Sequence, residues 1–258
     1  MVQYLLTPPD MTAEAGRHGL PLVHLAFSLR AEGRLWSPPL SRQCRGGLML
    51  VGTAEAPAKG DPDRALRQIL SQCRERHFLG VVLDAEGPPA PFLSRLINAL
   101  DRELARMGRG FFLPLDYARF SRRAVLFFSS ALSGGSLRHR LEQLARAYDP
   151  GRLTLALERT AEEFPLPAPE GHGVPLSQEA LGELMAGLRP TVHFSEDLCA
   201  HYFTYLDRQS RPRLVLFDRA DSLRQKRALA KAAGIERFFL LYPQAQELLE
   251  APEETERP

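Results

Sequence analysis

The sequence predicts an α/β fold, a compact (β/α)8 barrel of the TIM type. Short apolar runs recur along the 258 residues, and most are followed by a stretch with helical spacing, a pattern typical of βα units and a parallel sheet. Eight of these runs stand out as principal strands, the number that a closed barrel needs. They are Val2–Leu6, Val23–Leu29, Gly47–Val51, Gly80–Asp84, Phe111–Leu115, Ala124–Ser129, Leu153–Leu157 and Phe238–Tyr242.

The helices between the strands have recognisable ends. Asp61 is placed to cap the helix after the third strand, and Pro62 suits its first turn. Ser136 and Ser177 begin two later helices, and Gly234 can end the last one in a left-handed conformation. Apolar residues recur at helical spacing in these segments, so we expect the helices to pack against the sheet.

A small strand pair is predicted as an insertion before the last barrel strand, near Tyr202–Tyr205 and Arg213–Phe217, and Ser222 precedes the helix that follows it. No break in composition divides the chain, so we expect residues 1–250 to form a single barrel domain. Residues 251–258 are acidic and too polar to pack, which predicts a disordered tail.

Composition narrows the classes of partner. The formal net charge is +2, from 33 basic and 31 acidic residues, and the arginines are spread along the chain, which argues against nucleic acid and membrane partners. The N-terminus lacks a basic region followed by a continuous apolar stretch, and no apolar run is long enough to span a bilayer. The three cysteines are odd in number and widely separated, which suits a reducing compartment. We therefore expect a cytoplasmic protein.

No metal site or cofactor is predicted. His24 lies in an apolar strand and His193 beside Phe194, so both are expected to be core or loop residues rather than metal ligands. Cys199 and His201 are close in sequence, but no third residue completes a nucleophilic site.

Two carboxylates end the fourth predicted strand. The run Leu79–Glu86 is apolar until Asp84 and Glu86, and a Gly-Pro-Pro loop follows. Because side chains alternate along a strand, both carboxylates share a face with Val82. The pair therefore predicts a polar pocket at the carboxyl end of this strand.

This run resembles the fourth-strand motif D-G-x-D-x-D-x-E of glycoside hydrolase family 18, the chitinase-like barrels, and in particular their compact bacterial spore-cortex members. Gly80, Asp84 and Glu86 match the motif. Leu79 and Val82 stand in place of its first two aspartates, so the motif is degenerate.

The resemblance extends over nearly the whole chain. Val215–Ser222, with Lys226 and Gly234 after it, is similar to the family's V-W-F-D-D-A-x-S…K…G-[LI] segment. Tyr202–Asp207 resembles the strand that pairs with this segment, and His24–Phe27 the family's second strand. Asp218 and Ser222 are expected to cap or turn the chain rather than to act on a substrate.

The resemblance implies a retaining hydrolase in which the substrate's own acetamido oxygen attacks the anomeric carbon. Glu86 would be the acid/base, and Asp84 would orient the acetamido group and stabilise the positive intermediate. The implied substrate is a glycan containing N-acetylglucosamine, such as peptidoglycan or a chitin-like oligomer.

Polar residues after other strands are expected to line the same pocket. Asp116 and Tyr117 end the fifth strand, Glu158 ends the seventh, and Tyr242 ends the eighth. In a barrel, groups at the carboxyl ends of the strands converge, so all four are predicted to bind substrate.

Departures from the family pattern leave a second function open. The run Leu126–Ser130 replaces the family's sixth-strand M-x-Y-D, and Leu241 replaces the tryptophan beneath the sugar. Each lost group of this kind lowers the rate on the order of 10² to 10³. The alternative is a catalytically inactive family member that binds a glycan or a protein partner, and the sequence leaves both functions and the oligomeric state open.

Overall fold

The computed structural model describes residues 1–54, 60–87, 90–167 and 173–250, except for the side chain of Glu250. The predicted acidic tail and the two prolines of the predicted Gly-Pro-Pro loop lie outside the described residues. Two sheets are present, a closed parallel barrel and a five-stranded antiparallel sheet.

The elements are as follows. The strands are β1 (Val2–Thr7), β2 (Leu22–Arg30), β3 (Arg34–Trp36), β4 (Leu48–Gly52), β5 (Gly80–Asp84), β6 (Gly110–Pro114), β7 (Val125–Ser129), β8 (Leu153–Leu157), β9 (Ala161–Pro165), β10 (Val174–Pro175), β11 (His193–Ser195), β12 (Ala200–Leu206), β13 (Pro212–Phe217) and β14 (Arg237–Leu241). The α-helices are α1 (Thr12–Ala15), α2 (Pro62–Glu75), α3 (Pro91–Arg106), α4 (Leu137–Ala147), α5 (Gln178–Leu188), α6 (Ala220–Ala232) and α7 (Gln246–Glu250). Short 3-10 turns join several of them.

The barrel prediction is confirmed. Its strands follow the order β1-β14-β8-β7-β6-β5-β4-β2, and β1 also pairs with β2, which closes the sheet. All eight predicted strands are present, each within one residue of its predicted ends. The short strand β3 runs antiparallel to the end of β2.

Apolar side chains fill the interior of the barrel, and every barrel strand contributes at least one of them. The central ones are Tyr4, Val23, Leu48, Val82, Phe112, Phe127, Ala156 and Phe239. The rings of Tyr4, Phe112 and Phe239 pack with centroids 5.6 to 5.8 Å apart. Because this level is packed, polar chemistry in the barrel belongs above it, at the carboxyl ends of the strands.

The helix ends follow the local sequence. The Asp61 carboxylate accepts hydrogen bonds from the first turn of α2, and the Ser177 hydroxyl accepts one from the first turn of α5. Gly234 ends α6 with a φ of +81°, in the left-handed region. One expectation is corrected, because α6 begins at Ala220 and Ser222 therefore lies inside its first turn rather than ahead of it.

Contacts group the chain into two compact units. The first comprises residues 1–128, 148–156 and 236–243, and the second comprises the remaining described residues. That a single domain spans residues 1–250 stays a prediction.

The second unit contains the antiparallel sheet, in the order β10-β9-β13-β12-β11. The predicted strand pair is confirmed as β12 and β13, to which β9, β10 and β11 are added. Phe203, Val215 and Phe217 form its core with Leu181 of α5. In the described part of the chain, no helix is long and apolar enough to cross a membrane.

Candidate functional site

Asp84 and Glu86 lie at the carboxyl end of the fourth barrel strand. Asp84 is the last residue of β5 and is half-buried. Val82, two residues earlier, is fully buried in the barrel interior, so the alternation along the strand directs Asp84 to the same side. Glu86 lies two residues beyond the end of the strand, and its side chain is exposed.

Hydrogen bonds from the two neighbouring strand ends hold the backbone around this pair. The Thr53 N–H, just after β4, donates to the Asp84 carbonyl at 2.9 Å. The Glu86 N–H donates in turn to the Thr53 hydroxyl at 3.4 Å. On the other side, the Tyr117 hydroxyl donates to the carbonyls of Gly87 at 2.8 Å and Glu86 at 3.2 Å. The exposed Glu86 carboxylate is therefore carried on a fixed backbone.

Tyr117 has a role that the sequence did not reveal. It is 2% exposed, and its phenol points to the backbone of the segment that carries Glu86. Burial raises the pKa of the phenol, and the carboxylates of Asp116 and Glu86 raise it further. The phenol therefore stays protonated and keeps donating at neutral pH. Asp116, its neighbour in sequence, is exposed.

Tyr242 follows β14, which lies four strands from β5 around the barrel in either direction. Its side chain is buried, its N–H donates to the Leu6 carbonyl at 2.9 Å, and its ring lies 5.6 Å from that of His18. In the first unit the structure thus groups Asp84, Glu86 and Tyr117 closely and places Tyr242 across the barrel from them.

Glu158 belongs to the second unit, directly after β8. Its carboxylate accepts a hydrogen bond from the Ser129 hydroxyl at 2.7 Å, and its N–H donates to the Ser130 hydroxyl at 3.3 Å. Sequence reasoning did not single out these two serines. Their position at the carboxyl end of a barrel strand was the available signal.

The residues matched to the longer segment of the resemblance form a buried network in the second unit. Asp218 accepts hydrogen bonds from the Ser222 hydroxyl at 2.8 Å, the Thr160 hydroxyl at 2.9 Å and the Lys226 ammonium at 2.9 Å. Asp218, Ser222 and Lys226 are each at most 1% exposed. Groups so enclosed have no access to a substrate, which agrees with a structural role.

The cysteines lack the environment of nucleophiles. Burial raises the pKa of the Cys199 thiol to about 11, and Asp218 is among the carboxylates that add to this. Cys44 and Cys73 are buried as well. The described residues contain no group of three or more His, Cys, Asp or Glu side chains arranged to hold a metal ion.

Neither a protein-family model nor a curated protein matches the sequence, but solved structures match the fold. The spore cortex-lytic enzyme SleL of Bacillus megaterium superposes with a TM-score of 0.71 at 18% identity, over 96% of this chain and 73% of that one. A chitinase from Chromobacterium violaceum gives 0.70 at 13% identity, over 92% and 93% of the two chains. A mutant GH18 chitinase from Cycas revoluta, in complex with (GlcNAc)4, gives 0.62 at 15% identity, over 93% and 94%. This chain therefore shares the barrel fold of these enzymes.

Gly80, Asp84 and Glu86, on which the sequence resemblance rests, occupy the fourth barrel strand and the turn after it. Gly80 sits where β5 and β6 approach closely, because a Cβ atom there would lie 2.5 Å from the Gly110 carbonyl oxygen. Val82, which stands in place of a motif aspartate, packs into the apolar interior of the barrel. At this strand end the sequence carries two carboxylates, Asp84 and Glu86.

Proposed function

We propose that this protein binds glycans containing N-acetylglucosamine at the carboxyl end of the barrel and hydrolyses them with retention of configuration. The observation that carries the proposal is the pair Asp84 and Glu86 at the end of the fourth barrel strand, with the Glu86 backbone fixed by Thr53 and Tyr117. The fold shared with GH18 chitinases supports it, and one of those chitinases was solved with (GlcNAc)4.

In the proposed first step, the Glu86 carboxyl group donates its proton to the glycosidic oxygen while the bond from that oxygen to the anomeric carbon breaks. The acetamido oxygen of the same sugar bonds to the anomeric carbon from the opposite face and forms an oxazolinium ion. Asp84 accepts a hydrogen bond from the acetamido N–H and offsets the positive charge.

In the second step, the Glu86 carboxylate takes a proton from water, and the water oxygen bonds to the anomeric carbon as the oxazolinium ring opens. Two inversions at the same carbon give net retention. Thr53 and Tyr117 act on the backbone rather than on the sugar. They keep Glu86 within reach of the glycosidic oxygen. The rate of acid catalysis depends steeply on this distance.

The second candidate is a protein that binds such glycans without cleaving them. Val82 favours it, because an apolar, fully buried side chain cannot share a proton with Asp84. The run Leu126–Ser130, which stands where the resemblance implies a tyrosine and an aspartate, points the same way. The predicted cytoplasmic location belongs to this proposal in either form and implies an internal or recycled glycan fragment.

The test compares the wild type, Glu86→Gln and Glu14→Gln with N-acetylglucosamine oligomers and their aryl glycosides. Glu14 is an exposed glutamate of α1 and serves as the matched control. We expect Glu86→Gln to release sugar about 10² to 10⁴ times more slowly and Glu14→Gln to match the wild type. If calorimetry shows that the wild type binds the oligomers but no sugar is released, the second candidate is correct. If the wild type neither binds nor cleaves them, the proposal is overturned.

A further inference from the structure

A cleft of about 380 Å³ opens on the flank of the first unit, between β3 and α2. Its origin lies in the connection between the second and third barrel strands. Residues 31–47, all of them described, form a 3-10 turn, β3 and coil but no α-helix. Since a complete βα unit would cover this flank with a helix, its replacement by a short strand leaves the side of α2 open.

Trp36 forms one edge of the cleft. It is the only tryptophan in the sequence, and 41% of it is exposed. The guanidinium of Arg30 lies 4.1 Å from the ring centroid, which fixes the orientation of the indole. An oriented, solvent-facing indole offers a flat apolar surface that gains free energy when a ligand covers it.

The opposite wall carries polar side chains of α2 in fixed positions. The Gln68 side-chain oxygen accepts a hydrogen bond from the Leu35 N–H at 2.9 Å. This contact sets the orientation of the amide, so the Gln68 nitrogen keeps two hydrogens for which the described residues supply no partner. Farther along the helix, the Gln72 oxygen accepts from Arg76 at 3.2 Å, and Arg76 also donates to the Cys44 carbonyl at 3.0 Å.

We propose that this cleft is a second saccharide site, distinct from the acidic pair, with Trp36 as its stacking platform and Gln68 as a donor. A pyranose ring has an apolar face of C–H groups that covers an indole, and hydroxyl and acetamido oxygens that accept hydrogen bonds from an amide. The volume falls in the range of small-ligand pockets. The polar side chains on the α2 wall make an amphipathic helix a poorer occupant, because such a partner requires an apolar groove.

The strand register relates the cleft to the acidic pair within the first unit. Trp36 pairs with Ser28, Ser28 with Gly52, and Gly52 with Asp84. Trp36 and Asp84 therefore lie at the same level of the sheet, separated by three strand spacings, roughly 14 Å measured along the curved sheet. The choice of N-acetylglucosamine oligomers as ligand rests on the proposed function, for which the cleft would retain a longer glycan beside the site of cleavage.

The experiment uses the single tryptophan as its reporter. Titration of the full chain with (GlcNAc)4 should change the indole emission saturably, because the single tryptophan lines the cleft. Gln68→Ala should weaken the apparent affinity about fivefold to tenfold, as the loss of an amide hydrogen bond does, while Gln143→Ala on α4 should not. Trp36→Phe should weaken binding measured by calorimetry.

Glu86→Gln separates this proposal from the proposed function. It should slow hydrolysis about 10² to 10⁴ times and leave the fluorescence titration unchanged, so each site can fail without the other. The cleft proposal is overturned if the wild-type emission shows no saturable change up to about 10 mM ligand. It is equally overturned if Gln68→Ala titrates like Gln143→Ala.

Discussion

The Lys226 ammonium lies 2.8 Å from a carboxylate oxygen of Asp218, and both side chains are at most 1% exposed. Thr160 and Ser222 donate to the same carboxylate, so the buried charge is paired and hydrogen-bonded at both oxygens. The network ties the segment after β8 to β13 and α6, all within the second unit. Such a network stabilises a fold only while it is complete.

Removing the cation should therefore destabilise the protein strongly. Lys226→Met leaves the Asp218 carboxylate buried without its counter-charge, which costs about 3–5 kcal/mol in the free energy of unfolding. Urea denaturation of wild type and variant measures the difference. The control is Lys231→Met, an exposed lysine of the same helix, with an expected change within about 0.5 kcal/mol. Equal midpoints for the two variants would show that the pair contributes nothing.

A second prediction concerns the phenol that supports Glu86. Tyr117→Phe removes two hydrogen bonds to the backbone at Glu86 and Gly87 and should lower the free energy of unfolding by about 1 kcal/mol. If Glu86 is the acid, kcat should fall about tenfold with little change in KM, because the acid is misplaced rather than the sugar. Tyr148→Phe, a tyrosine outside the barrel site, is the control. A Tyr117→Phe enzyme with wild-type kcat would remove the phenol from the mechanism.

Much of the barrel could be predicted from sequence because its strands are apolar on both faces and bounded by polar residues. The strand β9 could not, since its sequence Ala161–Pro165 places two glutamates in the middle. It becomes a strand by pairing with β13, where Glu163 lies opposite Val215 and accepts a hydrogen bond from the Tyr205 hydroxyl. Tertiary pairing of this kind overrides local propensity.

Part of the candidate site could likewise be predicted from the sequence, and part could not. Asp84 and Glu86 could be placed from the alternation along one strand, because that strand alone fixes where its end lies. The support from Tyr117 could not, since it depends on where the carbonyls of a different strand end come to lie. Ser129 and its contact with Glu158 depend likewise on two strands far apart in sequence.

A third prediction concerns two glycines whose replacement by alanine should change the stability of the protein in opposite directions. A Cβ at Gly80 would lie 2.5 Å from the Gly110 carbonyl, so Gly80→Ala must push β5 and β6 apart and should cost about 1–3 kcal/mol. Gly182, in the middle of α5, has open space around it, and Gly182→Ala should stabilise the protein by about 0.5–1 kcal/mol. Thermal unfolding midpoints test both. A neutral Gly80→Ala would contradict the close approach of the two strands.

The last prediction concerns His24, which is 1% exposed and packs against Phe78 with ring centroids 5.5 Å apart. Burial lowers the pKa of this imidazole from its ordinary value of 6.5. The backbone of Gly46 and Arg45 offsets this in part, and the charge of Arg76 adds to it. Below about pH 6.5, His24 binds a proton in the unfolded chain but remains neutral in the folded protein. The free energy of unfolding therefore falls as the pH is lowered through this range, and His24 does not change it at higher pH.

Urea denaturation of wild type and His24→Asn between about pH 7 and pH 5 measures this effect. Uptake of one proton by His24 on unfolding contributes at most about 1.4 kcal/mol per pH unit to the slope of the free energy of unfolding against pH. The His24→Asn variant should lose this contribution. His201, whose pKa burial also lowers, remains in both proteins and leaves a residual slope. His139→Asn removes an exposed histidine of α4 and should follow the wild type. If the His24→Asn and wild-type curves run parallel, the neutral form of His24 does not contribute to the acid sensitivity of the fold.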